Sequence, residues 1–184
     1  MALTKTPICN FGEKAKDFDL KSTENKLLSL NDVKGENGTL VMFICNHCPY
    51  VKDIIKDLVD DVKFLEEIGI KSVSIMSNDV INYPEDSFEN MISFSKSNNF
   101  SFPYLIDETQ DVAKKYGAVC TPDFFGYNKN LELQYRGRIR ELKDLKPIRD
   151  GDSDLKIAMK LIAETANGPK NQIPSMGCNI KWFK

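Results

Sequence analysis

The run Thr39-Leu-Val-Met-Phe-Ile-Cys45-Asn-His-Cys48-Pro-Tyr-Val51, with the segment that follows it to Leu65, decides the fold. Residues 39–44 are almost continuously apolar, so both faces of this strand must be covered, which places it in the middle of a sheet. After the cysteines the period changes. Counting from Cys48, the apolar positions are Val51, Ile55, Leu58, Val62 and Leu65, while Lys52, Lys56, Asp60 and Lys63 take the other side. Steps of three and four predict an amphipathic helix. Pro49 falls in its first turn, where no backbone N–H is needed. Gly69 closes the helix, and residues 71–77 read as a second buried strand.

Working outward, residues 17–20 and 26–30 flank the turn-rich Ser22-Thr-Glu-Asn25 and predict a short hairpin. A second helix is expected from about residue 84 to 97, with Phe88, Met91, Ile92 and Phe94 inward. A short strand at 103–106, a short helix at 110–116 ended by Gly117, and a hairpin of 123–127 with 131–135 follow. The last helix starts near Asp152-Ser153, uses Leu155, Ala158, Met159 and Ile162, and stops at Gly168-Pro169. The tail, 171–184, carries the only tryptophan, Trp182, and few charges, so it is expected to pack. Alternating strands and helices indicate an α/β class. Residues 1–184 read as one domain, with about 1–38 as an N-terminal extension and hairpin and about 169–184 as a C-terminal tail.

Composition narrows the function. The 184 residues include 25 Lys+Arg against 27 Asp+Glu, 41% hydrophobic and 28% charged, as in an ordinary globular chain. Near-neutral charge argues against a broad nucleic-acid face. The longest apolar run, 40–45, is far short of the ~18 residues of a membrane helix. Neither nucleic acid nor membrane is an expected partner. The amino terminus shows no apolar signal region, so the cytoplasm is the expected compartment, where structural disulfides are rare. There are five cysteines, at 9, 45, 48, 120 and 178, and only Cys45-Asn-His-Cys48 is tightly spaced. Such a pair beside a strand–helix–strand pattern reads as a redox motif. Zinc would need a second ligand pair. His47 is the only histidine and Cys120 and Cys178 are isolated, so no metal and no cofactor is expected.

The motif lies where a central strand meets a helix amino terminus. Cys45 is expected at the exposed turn and Cys48 on the apolar stripe of the helix. One accessible thiol and one shielded thiol suit a dithiol–disulfide exchanger: the first attacks a partner and the second resolves the mixed disulfide. Helix-end amides and a protonated His47 would draw Cys45 from ~8.5 toward the ~3.5–7.5 range of activated thiols.

At these residues the chain resembles the thioredoxin superfamily, and closely its thioredoxin-like, peroxiredoxin-related proteins of the alkyl hydroperoxide reductase/thiol-specific antioxidant grouping. The blocks that carry the resemblance are Phe11-Gly-Glu-Lys-Ala-Lys-Asp-Phe-Asp-Leu20, Val41-Met-Phe-Ile-Cys-Asn-His-Cys-Pro-Tyr-Val51, Met76-Ser-Asn-Asp79, Cys120-Thr-Pro-Asp-Phe-Phe125 and Pro174-Ser-Met-Gly-Cys-Asn-Ile-Lys-Trp182. The resemblance implies a thioredoxin fold: a mixed central sheet flanked by helices, with an N-terminal β-hairpin added and the C-terminal tail packed. It also implies Cys45 as attacking thiol, Cys48 as resolving thiol, and Thr121-Pro122 as the cis-proline loop that faces the disulfide. Histidine before the second cysteine resembles the disulfide isomerases and implies a less reducing couple than a thioredoxin.

Two departures bear on activity. The peroxiredoxin motif P-x-x-x-T-x-x-C, aligned on Cys48, puts Val41 at its proline and Cys45 at its threonine. The hydroxyl that would position a peroxide is therefore missing. The buried acid that thioredoxins keep in the strand before the motif is also missing, and Asp79 is the substitute considered. The function expected is thiol–disulfide oxidoreduction on protein or small-molecule disulfides, with an unidentified thiol as electron donor or acceptor. The alternatives are a thiol peroxidase and a redox-sensing binding module. Cys178 is a candidate third thiol, handed to Cys45 by a tail folded over the site. Cys120 is expected to be core packing, and Arg136, Arg138 and Arg140 a solvated strand end.

Overall fold

The computed structural model describes residues 3–144 and 146–184. In chain order its first elements are β1 (Leu3–Lys5), β2 (Asp19–Ser22), β3 (Leu27–Ser29), β4 (Gly38–Phe43), α1 (Pro49–Glu67) and β5 (Ile70–Met76). A 3-10 turn (Pro84–Asp86), α2 (Phe88–Ser97), β6 (Tyr104–Ile106), α3 (Asp111–Tyr116) and β7 (Cys120–Thr121) follow. The chain ends with β8 (Asp123–Asn128), β9 (Leu133–Tyr135), β10 (Leu142–Lys143), β11 (Lys146–Pro147), α4 (Asp154–Thr165) and β12 (Met176–Asn179).

The main sheet has seven strands in the order β3-β2-β6-β5-β4-β8-β9. β4 pairs parallel with β5 and antiparallel with β8, and every one of its residues is buried. Its side chains alternate between two cores. Leu40 and Met42 face one, together with α1, α4 and Met91. Val41 and Phe43 face the other, together with Val73, Ile75 and the α3 residues Val112, Ala113 and Tyr116. This mixed sheet covered by helices is the thioredoxin fold, as the resemblance implied.

The helix after the cysteines forms as its period predicts. Val51, Ile55, Leu58, Val62 and Leu65 are buried, as is Ile54. Each such side chain stabilises the fold by ~1.5–3 kcal/mol relative to exposure. Cys48 is the N-cap, in extended conformation, and Pro49 opens the first turn. Gly69 ends the segment at φ +80°, and a Cβ there would lie 2.6 Å from Asn37 Nδ2.

Three elements depart from expectation. The N-terminal hairpin is not an appendage, because β2 also pairs with β6 and so extends the main sheet. The helix expected at 84–97 begins instead as a 3-10 turn. Ser87 then caps α2, its hydroxyl accepting from Asn90 N–H, and Met91 alone of the four inward candidates is buried. α4 stops at Ala166, in the left-handed region, ahead of Gly168-Pro169. The tail does pack, but through β12 and the buried Ile180 and Lys181, whereas Trp182 stays 39% exposed. Among the described residues no helix is long and apolar enough to cross a membrane.

Candidate active site

β4 delivers Cys45, and the chain then turns into α1 at Cys48. Thr121, the last residue of β7, and Pro122 after it meet them from the other side. The Thr121-Pro122 peptide bond is cis, as expected. Thr121 touches both sulfurs: its Oγ1 lies 3.3 Å from Cys45 Sγ, and its carbonyl oxygen lies 3.2 Å from Cys48 Sγ. The expectation of an exposed Cys45 does not hold. Cys45 is 1% exposed and Cys48 0%. The strand–turn–helix junction is covered rather than open.

Part of that surround is the tail. β12 lies antiparallel to β7 in a second sheet of order β1-β12-β7, with Cys178 opposite Thr121. This register places Cys178 Sγ 3.0 Å from Cys48 Sγ. The candidate third thiol therefore stands against Cys48, not against Cys45. The reason is strand pairing: Cys178 follows Thr121, and the Thr121 carbonyl is the group that Cys48 reaches.

The same contacts distribute charge. A hydrogen bond from Cys45 acts most strongly on Cys48, aided by Cys178 and by the Val51 N–H. These outweigh burial, and they hold Cys48 well below the ordinary thiol range. Cys45 is pushed well above that range, first by its bond to Cys48 and then by burial and the Asp86 charge. In the dithiol form the negative charge is thus favoured on the sulfur of Cys48, the N-cap residue of α1, where the helix end favours an anion. Burial and the Cys48 charge push Cys178 up to about 12.

His47 is half-buried and donates its Nδ1–H to Asp86 Oδ2 at 2.7 Å. Its ring stacks on Tyr83 with centroids 5.8 Å apart. Asp86 was not singled out by sequence reasoning, yet it organises the motif. It is 0% exposed and accepts from the Asn46 N–H (2.8 Å), the His47 N–H (3.3 Å) and Asn78 Nδ2 (2.8 Å). Asn46 is held in turn by the Tyr104 hydroxyl at 2.9 Å. Burial would raise the Asp86 carboxyl, but the His47, Asn78 and Asn46 bonds hold it below the usual range. The Asp86 bond raises the His47 imidazolium above its ordinary value. The one available signal was Pro84-Glu85-Asp86, whose acids read as a helix start. Asp79, the substitute considered, instead closes its own turn with Ile81 and Asn82.

Cys45, His47 and Asp86 offer three ligand atoms within 4.8 Å of one another. The direct Nδ1–Oδ2 bond and the amide bonds to Asp86 already occupy this space, so His47 and Asp86 stand as an ion pair with the Cys45 thiol beside them.

Away from the motif, Arg136 is not a solvated strand end. Its guanidinium bonds the buried Asp123 at 2.9 Å and lies over the Phe125 ring. Arg138 pairs with Asp154, and Arg140 with Asp57. Cys120 is fully buried and its thiol is raised by burial, as packing implies. Cys9 is partly buried, and burial pushes its thiol up to about 11.

The chain as a whole is similar to solved structures. An uncharacterized conserved protein from Geobacillus kaustophilus is 38% identical, with a TM-score of 0.94 over 100% of this chain and 97% of that one. A hypothetical protein from Sinorhizobium meliloti 1021 is 36% identical, with a TM-score of 0.90 over 98% of both chains. In sequence, the Coxiella burnetii protein named "Putative peroxiredoxin bcp" is 27% identical over 115 residues, which is 62% of this chain and 71% of that protein. The AhpC/TSA family model matches residues 11–142, and with well over half its length inside that match this chain belongs to the AhpC/TSA family.

Proposed function

We propose that the protein is a thiol–disulfide oxidoreductase that cycles between a dithiol and a Cys45–Cys48 disulfide. Membership of the AhpC/TSA family supports redox chemistry in general. The contact of Thr121 with both sulfurs of the pair carries the finer reading. In the proposed cycle Cys45 attacks a substrate disulfide, one substrate sulfur leaves with a proton, and a mixed disulfide forms at Cys45. Cys48 then attacks Cys45 Sγ, the second substrate sulfur leaves, and the Cys45–Cys48 bond remains. The attack needs the proton on Cys45 to pass to Cys48, the sulfur that holds the charge at rest. It also needs the site to open, since both sulfurs are buried. The substrates are protein or small-molecule disulfides, and a thiol partner closes the cycle. His47, Thr121 and Pro122 position the pair.

A thiol peroxidase at Cys48 is the second reading, favoured by the negative charge there. Against it, position 45 lacks the peroxiredoxin hydroxyl, and the Thr121 hydroxyl lies on Cys45 instead. The test is to reduce the protein and offer hydrogen peroxide and a disulfide substrate such as insulin separately. Wild type should reduce the disulfide. Cys45→Ser should lose turnover by a factor of 100 or more, as expected when a nucleophile is removed (on the order of 10² or greater). Cys48→Ser should accumulate a mixed disulfide at Cys45. Rapid peroxide consumption with negligible disulfide exchange overturns the proposal.

A further inference from the structure

The proposed exchange accounts for two sulfurs, and the site holds three. Cys178 is 3% exposed, and its sulfur lies 3.0 Å from Cys48 Sγ. Neither side of that contact is loose. Cys48 is fixed as the N-cap of α1. Cys178 is the middle of a ladder, opposite Leu3 on β1 and opposite Thr121 on β7. Gly177 presses against β7 so closely that a Cβ would lie 2.0 Å from the Thr121 oxygen. Two sulfurs held this way need to close by only about 1 Å to reach bonding distance. Holding them together also removes the entropy of encounter that a free thiol would have to lose.

The placement of β12 has a second meaning. The strand edge beside the cis-proline offers backbone groups for pairing with an extended chain. Here residues 176–179 of the protein itself take that edge and present a cysteine to the motif. The tail thus sits as a tethered substrate strand.

We propose that Cys178 is the third member of an intrachain exchange set with Cys48 as its middle sulfur, so that the oxidised protein carries a Cys48–Cys178 disulfide in exchange with Cys45–Cys48. This rests on the oxidoreductase reading for the origin of the first disulfide. The step is an isomerisation. Cys178 sulfur attacks Cys48 Sγ, the Cys48–Cys178 bond forms, and the Cys45–Cys48 bond breaks. Cys45 leaves as thiolate and takes the proton lost by Cys178, so no electrons enter or leave. Once Cys48 is in a disulfide it no longer carries the charge that helps hold the Cys178 thiol up. The result is a freed Cys45 while the oxidising equivalent is stored beneath it.

The test is disulfide mapping of the full chain. Reduced wild type and Cys45→Ser are oxidised with one equivalent of glutathione disulfide, quenched in acid, alkylated in denaturant and digested. Wild type should yield a Cys48–Cys178 peptide beside Cys45–Cys48. Cys45→Ser should yield Cys48–Cys178 as its main oxidised form, because Cys178 resolves the glutathione adduct of Cys48. The proposal is overturned if Cys178 is alkylated throughout, with only Cys45–Cys48 in wild type and a persistent glutathione adduct on Cys48 in the variant. Insulin reduction by wild type is scored in parallel. Turnover without the Cys48–Cys178 link sinks this inference alone, and the link without turnover sinks the oxidoreductase reading alone.

Discussion

At the scale of single residues, half-buried His47 and buried Asp86 form an ion pair whose one free edge is the imidazole Nε2, an atom buried without a partner among the described residues. The hydrogen bond to Asp86, opposed by burial, raises the imidazolium above its ordinary value. The sign follows. A raised folded-state value means that the pair stabilises the protein fully below the unfolded histidine value of ~6.5, and that this stabilisation fades as pH rises through the folded value. The same cation lies within reach of the thiols and favours an anion on Cys48. His47→Gln should therefore move the midpoint of thiol alkylation upward, by about one pH unit for a charge this close. Iodoacetamide rates from pH 5 to 10 measure it. An unchanged midpoint, with only lower stability, would reduce His47 to a packing role.

At the scale of elements, the joint between β7 and β12 decides whether the site is open. Its tightest point is Gly177 against the Thr121 carbonyl, the same carbonyl that Cys48 Sγ approaches. Gly177→Ala places a methyl where none fits, at a strain of roughly 1–3 kcal/mol. The strand is only four residues long, so lifting it is the cheapest relief. In the folded variant the motif thiols should alkylate at least tenfold faster (~1.4 kcal/mol of easier opening, by the tenfold rule), with the unfolding midpoint lowered only modestly. Equal alkylation rates in variant and wild type would mean that β12 does not govern access. α1, by contrast, carries its own instructions in a three-and-four apolar spacing, so its range and buried face were legible. β12 has no such pattern; its register comes from Thr121, 57 positions earlier by the pairing of Cys178 with Thr121.

At the scale of the whole molecule, what the sequence disclosed is what local periodicity encodes. The apolar strand at 39–44 and the helix after Cys48 were readable because their signals lie within a few residues of one another, whereas the cis-proline loop was implied by the family resemblance. The contact of Cys178 with Cys48 rather than Cys45, the Asp86 network and the Arg136–Asp123 pair were not, since each joins residues from separate elements and has no period. A further such pair links the two helices on one face of the sheet. Asp61 of α1 accepts from the hydroxyl of Ser153, the residue that caps α4 by accepting from Lys156 N–H. Burial, only partly offset by that hydroxyl, raises the Asp61 carboxyl to about 6. An unfolded aspartate ionises near ~3.9. Between these values the unfolded chain gives up its proton first, so native stability falls as pH rises from about 4 to 6 and is level above. The drop from this one group is at most about 3 kcal/mol, since each tenfold difference in proton affinity is worth about 1.4 kcal/mol. Asp61→Asn keeps an acceptor for Ser153 and has no proton to lose. Its melting temperature should therefore lack this fall and should equal or exceed that of wild type at pH 7.5, while the wild type gains on acidification to pH 4.5. Parallel melting curves for the two proteins across that range would show that Asp61 does not carry the dependence.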